Sequence, residues 1–215
     1  MSQPRKSPQT KALSEVSLRK NTWAGLIPAA GLSSRMGFPK ALLLNEYGTP
    51  FAVALSRAFL DAYLTPVIVT IPPPPMGAQL EEALAPLPVE TSWNIAPHKG
   101  LSGSIETAIQ RIPAQVSGLV FCPVDNPFTS ADLIGSMLGA LSQTAPSYLA
   151  AVASYGGRSG HPVAFSRSLF PDLIRAGDNG GARSVLQKLG DRVLRYETRS
   201  PNTLCNLNTP EAYER

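Results

Sequence analysis

Short, continuously apolar runs alternate along the chain with longer segments in helical spacing. The runs at 23–29, 67–71, 89–95, 119–124, 148–154 and 193–197 predict strands, since they are short, rich in apolar residues and bounded by Gly, Pro or Asp. Between them, Thr49 and Pro50 supply an N-cap and a first-turn proline for a helix with Val53, Ala54, Ala58, Phe59 and Ala62 on one face. Further helices are expected over 79–84, over 105–112 after a loop at 100–104, from Ser130 to about Leu141, from the Gly180–Gly181 turn to Leu189, and from Thr209 onward. The proline tract that begins at Pro72 is a stiff connector that continues neither helix nor strand. Strands that are apolar throughout, each followed by a helix, point to a mostly parallel sheet covered on both faces. The expected architecture is a single three-layer α/β domain over 23–215.

Composition agrees with a chain that buries a core, with 43% hydrophobic and 16% charged residues. The net charge of +4 changes meaning once it is located. Residues 1–22 hold Arg5, Lys6, Lys11, Arg19 and Lys20 against Glu15, which accounts for all of it. They read as a basic, disordered N-terminal tail, and the body is neutral. A nucleic-acid binder would carry a basic face on the domain itself, so no nucleic-acid partner is expected. No stretch has the length and apolarity of a signal peptide or membrane span, and a cytoplasmic protein is expected. Cys122 and Cys205 form no CxxC pair, and neither His98 nor His161 has a partner at metal-ligand spacing, which argues against a zinc centre.

Candidate chemistry sits where strands end, because ligands of open α/β sheets bind outside the carboxyl ends of the strands. The first strand exits into Ala29-Ala30-Gly31-Leu32-Ser33-Ser34-Arg35-Met36-Gly37, with Lys40 shortly after. Small residues let main-chain N–H groups approach an anion, and Arg35 and Lys40 add charge. The segment is neither GxxxxGK[ST] nor GxGxxG, so local chemistry leaves it open between a tight turn and an anion cradle. The fourth apolar run exits through Phe121-Cys122-Pro123-Val124-Asp125-Asn126-Pro127. Asp125 there suits either a Mg²⁺ ligand or a turn aspartate. His161, placed in a loop before an apolar strand, is a candidate substrate contact, and no GxSxG serine or cysteine nucleophile is visible.

The stretch LIPAAGLSSRMGFPKALL resembles the LAAGxSxRMGxxK loop of the MobA/MocA-like nucleotidyltransferases of molybdenum-cofactor maturation. GLSGSIETAI, FCPVDNPF, GRSGHPVAFSRSLFPDL and NLNTPEAY resemble later segments of that family in order and spacing. The resemblance implies a Rossmann-like fold of the nucleotide-diphospho-sugar transferase type and a Mg²⁺-dependent nucleotidyltransferase. It implies transfer of a nucleoside monophosphate to the terminal phosphate of molybdopterin, with release of pyrophosphate. Carried over, Ala29, Ala30, Gly31, Ser33, Arg35 and Lys40 hold the triphosphate, with Arg35, Lys40 and Asp125 as catalytic residues. Gly100, Ser102 and Ser104 contact the nucleotide, His161 the acceptor, and Asp125 and Asn208 the metal. Ala29-Ala30-Gly31 and Gly160-His161-Pro162 are similar to the cytidylyl branch, which implies CTP as donor and a recipient molybdoenzyme or its chaperone as partner. The closing segment departs from the family's DxDTPEDY by carrying Asn206 and Asn208, with Asp178 and Glu211 as nearby carboxylates in sequence. That departure keeps two alternatives in view. One is transfer to another phosphorylated acceptor (an isoprenoid-precursor or sugar phosphate) or from GTP; the other is a non-catalytic nucleotide- or cofactor-binding relative.

Overall fold

A computed structural model describes residues 22–31, 39–94, 99–177, 179–207 and 213. Among these, seven strands form one sheet: β1 (Trp23–Pro28), β2 (Val67–Ile71), β3 (Glu90–Trp93), β4 (Gly118–Phe121), β5 (Ala150–Tyr155), β6 (Arg158–Ser166) and β7 (Val193–Glu197). The accompanying helices are α1 (Phe51–Asp61), α2 (Ala78–Leu84), α3 (Gly100–Ile109), α4 (Ala131–Thr144), α5 (Phe170–Arg175) and α6 (Gly181–Leu189). The strand order is β3-β2-β1-β4-β6-β5-β7. Every neighbouring pair is parallel except those of β6, which runs antiparallel to both β4 and β5. None of the helices among the described residues is long and apolar enough to cross a membrane.

Three layers follow from strand alternation. Trp23 and Ile27 of β1 face a cluster built with α1, α2 and α4, whereas Ala24 and Leu26 face one built with α3, α5 and α6. A strand buried on both faces has no solvent-facing side, which is why β1, β2 and β4 are apolar apart from Thr70, whose hydroxyl donates to Ser104. Each large side chain shut away in these clusters contributes about 1.5–3 kcal/mol of burial free energy.

Several expectations need correction. The helix at 51–61 is capped at Pro50 with no side-chain hydrogen bond, so Thr49 is not its cap. Its inner face is Phe51, Ala52, Val53, Leu55, Ser56 and Phe59, broader than the expected stripe, with Ala54, Ala58 and Ala62 only half-buried. Residues 100–104 are not a loop but the opening of α3, where Gly103, Ser104, Ile105 and Ala108 are buried and packing overrides weak propensity. His161 lies not in a loop but inside β6. The β5–β6 hairpin turns on Gly156 (φ 58°) and Gly157 (φ 75°), with Tyr155 paired to Arg158. Two consecutive positive-φ glycines make the tight turn that suits hairpin strands, and the Gly-Gly pair was its signal. The expected helix from Thr209 lies outside the described residues apart from Tyr213.

Gly118 is required by contact. A Cβ there would run into the Trp23 ring and the Phe165 carbonyl oxygen, on neighbouring strands that cannot move apart without breaking the sheet. Gly118→Ala should therefore lower unfolding free energy by about 1–3 kcal/mol, read as a lower urea midpoint; an unchanged midpoint would show the strands give way freely.

The His161 ring packs edge-on against Phe121 with centroids 5.4 Å apart. Its Nδ1 is shut from solvent without a hydrogen-bond partner, and burial pulls its pKa down to about 4. The folded state thus keeps this ring neutral where the unfolded chain, with the ordinary value of about 6.5, takes up a proton. Stability from His161 is complete above pH 6.5 and drains away as pH falls toward 4, at roughly 1.4 kcal/mol per pH unit. His161→Gln should flatten the dependence of unfolding free energy on pH across that window; a curve parallel to the wild type's would contradict the buried neutral ring.

Candidate active site

The chain leaves β1 toward β2 and β3 on one side, then returns through β4 on the other side of β1. The loops after β1 and β4 therefore part above adjacent strands and leave a crevice at their carboxyl ends, where such sheets bind ligands. A cleft of about 350 Å³ occupies that place. It is lined by Pro28 to Gly31, Lys40 and Ala41 after β1, Asn94 after β3, Gly100, Leu101 and Ser104 of α3, and Pro123 to Asp125 after β4.

Lys40 and Asp125 meet across it. Lys40 Nζ lies 3.8 Å from Asp125 Oδ2, with the two side chains 16% and 20% exposed. Lys40 opens a 3₁₀ turn, Lys40–Leu42, in which the Leu43 N–H donates to the Lys40 carbonyl at 3.1 Å. Asp125 is held from two sides. Its Oδ1 accepts from Asn126 Nδ2 at 3.0 Å, and its carbonyl accepts from the Leu207 N–H at 2.9 Å. The closing segment of the chain is thereby tied to the aspartate loop. At 3.8 Å the pair is loose, and partly exposed pairs of this kind contribute little to stability, about 1 kcal/mol at most. Its arrangement serves the cleft more than the fold.

Ala29 and Ala30 are buried at the cleft floor, and the Ala29 N–H is already committed to the Thr70 carbonyl at 2.8 Å. Gly31 is exposed at the rim. α3 begins at Gly100 (φ 54°) with no side chain capping it, so a helix N-terminus ends at the cleft wall. Such an end, with main-chain donors and a positive dipole, favours anions.

Ser104 lines the cleft, but its Oγ accepts from Thr70 Oγ1 at 2.9 Å and Asn94 Nδ2 at 3.4 Å, and the residue is 2% exposed. It reads as a brace between β2, β3 and α3. Ser102 does not line the cleft; it packs on the start of α6, where a Cβ at Gly181 would come within 2.8 Å of its Oγ. Ser33, Arg35, His98, Asp178, Asn208 and Glu211 lie outside the described residues. Sequence reasoning overlooked Asn94, whose signal was a polar amide ending a strand beside Trp93.

Among the described residues no group of three or more His, Cys, Asp or Glu side chains gathers to hold a metal. Asp125 is the one carboxylate among the described residues on the cleft wall, which fits an ion that takes one or two carboxylates and completes its shell with phosphate and water. Cys122, beneath the same loop, is no nucleophile. Burial pushes its thiol up to about 12, and Sγ rests 3.2 Å from Thr129 Oγ1.

The family model for the MobA-like NTP transferase domain matches residues 25–193. Among solved structures, Rv0371c from Mycobacterium tuberculosis H37Rv shares the fold with a TM-score of 0.76 at 21% identity, over 91% of this chain and 97% of that one. The same protein has been solved in complex with manganese. A nucleotidyl transferase from Methanothermobacter thermautotroptrophicus, Mth528, gives a TM-score of 0.75 at 23% identity, over 91% of this chain and 95% of its own. Molybdopterin-guanine dinucleotide biosynthesis protein A from Archaeoglobus fulgidus gives 0.64 at 16% identity, over 89% and 95%. No curated protein matches in sequence. The family match takes in β1, β4 and both loops that frame the cleft, and the chain belongs to the MobA-like NTP transferase family, whose members are nucleotidyltransferases.

Proposed function

We propose that this protein transfers CMP from CTP to the terminal phosphate of a molybdopterin-type cofactor. The observation that carries the reading is the Lys40–Asp125 pair at the β1–β4 crevice, beside the uncapped start of α3. On this reading the main chain at Ala30 and Gly31, the α3 N-terminus and the side chains of Arg35 and Lys40 hold the triphosphate. An oxygen of the acceptor phosphate attacks the α-phosphorus, the bond to the bridging oxygen breaks, and pyrophosphate leaves. Since the nucleophile is already an anion, no strong base is required, and alignment with charge stabilisation supplies the rate. Lys40 stabilises charge on the departing phosphates, and Asp125 with Asn208 would hold Mg²⁺. Bound there, Mg²⁺ would supply neutralisation of the phosphate charge. Support for Asn208 comes from Leu207, whose N–H donates to the Asp125 carbonyl one residue earlier in the chain. His161, which does not line the cleft itself, would offer its neutral ring to the acceptor beyond Pro123. CTP rests on Ala29-Ala30-Gly31 and Gly160-His161-Pro162, and a cytoplasmic enzyme serving a molybdoenzyme completes the proposal.

A second reading, a nucleotide-binding relative with little turnover, is favoured by one fact. Asp125 is the one carboxylate among the described residues lining the cleft.

Pyrophosphate release, measured with each of four NTPs and Mg²⁺ and with or without the phosphorylated pterin, separates these readings. The expected result is release with CTP and pterin together. Release with GTP alone among the donors would overturn the donor assignment, and CTP binding without release would favour the second reading. Asp125→Ala and Lys40→Ala should each lower turnover by about 10²–10³-fold while leaving the thermal midpoint near wild type. Full activity in Asp125→Ala would remove the proposed metal site.

A further inference from the structure

β6, paired with β4, carries a second set of polar side chains at the same edge of the sheet as the cleft, beyond the residues that line it. The β4–β6 pairing sets Phe121 opposite Val163. Beyond Phe121 the chain stays beside β1, with Cys122 N–H donating to the Leu26 carbonyl and Val124 N–H to that of Pro28. Extending the register therefore places His161 level with Pro123, and Ser159 lies further out along the same strand. Val163 and Phe165 belong to the cluster under α3, α5 and α6, and His161 falls on that face at the next two-residue step.

Arg195 of β7 joins the set. It lies opposite Val152 of the same cluster, and its Nη1 donates to Ser159 Oγ at 3.2 Å, reaching over β5 toward β6. Gly160 faces the other way, against the Thr203 carbonyl, which leaves Ser159 on the Arg195 side. The pairing shifts between Val152 and Ser154, an irregularity of the type that re-aims side chains beside active sites.

Among the described residues no carboxylate forms an ion pair with the Arg195 guanidinium; the ion pairs there are Lys40–Asp125, Lys99–Glu106 and Arg175–Asp172. Glu197, on the same strand, is occupied by Ser154 Oγ at 2.8 Å and the Gly156 N–H. Arg158, Ser159 and Arg195 are all exposed. A guanidinium has five N–H donors, and the Ser159 contact orients the group while leaving most of them for an anion.

We infer that Arg195, steadied by Ser159, binds an anionic group on the acceptor at the end remote from its reacting phosphate. The acceptor then lies along the His161 side of the cleft, with the nucleotide on the α3 side. This rests on the proposed transferase reading, and it names the acceptor class as one carrying a second anionic or multiply oxygenated group. Arg195 is a specificity-determining residue for the acceptor alone.

The test uses the full chain with CTP, Mg²⁺ and the phosphorylated pterin. Arg195→Ala should raise the KM for the pterin about 10-fold, as loss of a charge-assisted hydrogen bond implies. The KM for CTP and the kcat should stay within about 2-fold, and Arg195→Lys should recover part of the loss. Pterin KM unchanged, or pterin and CTP KM shifting together, would overturn the inference. If the wild type releases no pyrophosphate with any pair, the transferase reading falls. The inference is then decided by calorimetric titration of the same pterin. About 10-fold weaker binding to Arg195→Ala supports it, and equal binding, or none to either protein, overturns it.

Discussion

The parallel pairing of β1 with β4, in register from Trp23 opposite Gly118 to Leu26 opposite Phe121, is the constraint on which the rest depends. It makes neighbours of two strands separated by half the chain, and it does so at the point where the connections diverge. The crevice is therefore a result of topology, and Lys40 and Asp125 face each other because their strands do. The bare α-carbon of Gly118 is what leaves room for the Trp23 ring across this pairing. A site that needs two opposite charges held a few ångströms apart is thus anchored by the least polar part of the molecule.

The polar groups around the cleft divide by commitment. Thr70 and Asn94 both donate to Ser104 Oγ, which commits that hydroxyl to bracing the cleft wall. Asp125 is held at Oδ1 and at its carbonyl, which leaves Oδ2 turned to Lys40 and the cleft. Fixing a carboxylate through its other atoms reduces the reorganisation needed when a dense negative ligand arrives, and that is where such sites gain most of their rate. Burial keeps Cys122 and His161 uncharged nearby, so among the described residues the charges at the cleft are those of Lys40 and Asp125, joined by the end of α3.

Legibility followed burial. β2 is legible to the residue and β1 to within one, because buried and nearly continuous apolar runs permit no other assignment; β7, half-exposed and carrying Arg195 and Glu197, matches its expected bounds without such burial. α3 runs from Gly100 to Ile109 and not over the expected 105–112: Gly100, Ser102 and Gly103 are weak helix formers, and the burial of Gly103 and Ser104 accounts for the added first turn, while the helix stops short of Ile112. β6 was missed over its first half because Arg158 to Gly160 look like a loop when the partner strands are unknown. Lys40 and Asp125 were legible as residues from their motifs, and their meeting required the strand order. Ser102 shows the limit of spacing arguments, since one residue along a helix turns a side chain by 100°, here from cleft to neighbouring helix.

The reversed direction of β6 has a wider meaning. In a parallel sheet every loop at the catalytic edge is followed by a helix and a return strand, so altering its length disturbs a whole crossover. The Gly156–Gly157 hairpin sits at that edge without such a burden. It can gain or lose residues while β5 and β6 stay paired below it. On the proposed reading, the side facing the nucleotide is locked into the crossovers while the side facing the acceptor hangs on a two-residue turn. On that reading, loop length can change on the acceptor side without disturbing any crossover that holds the donor side.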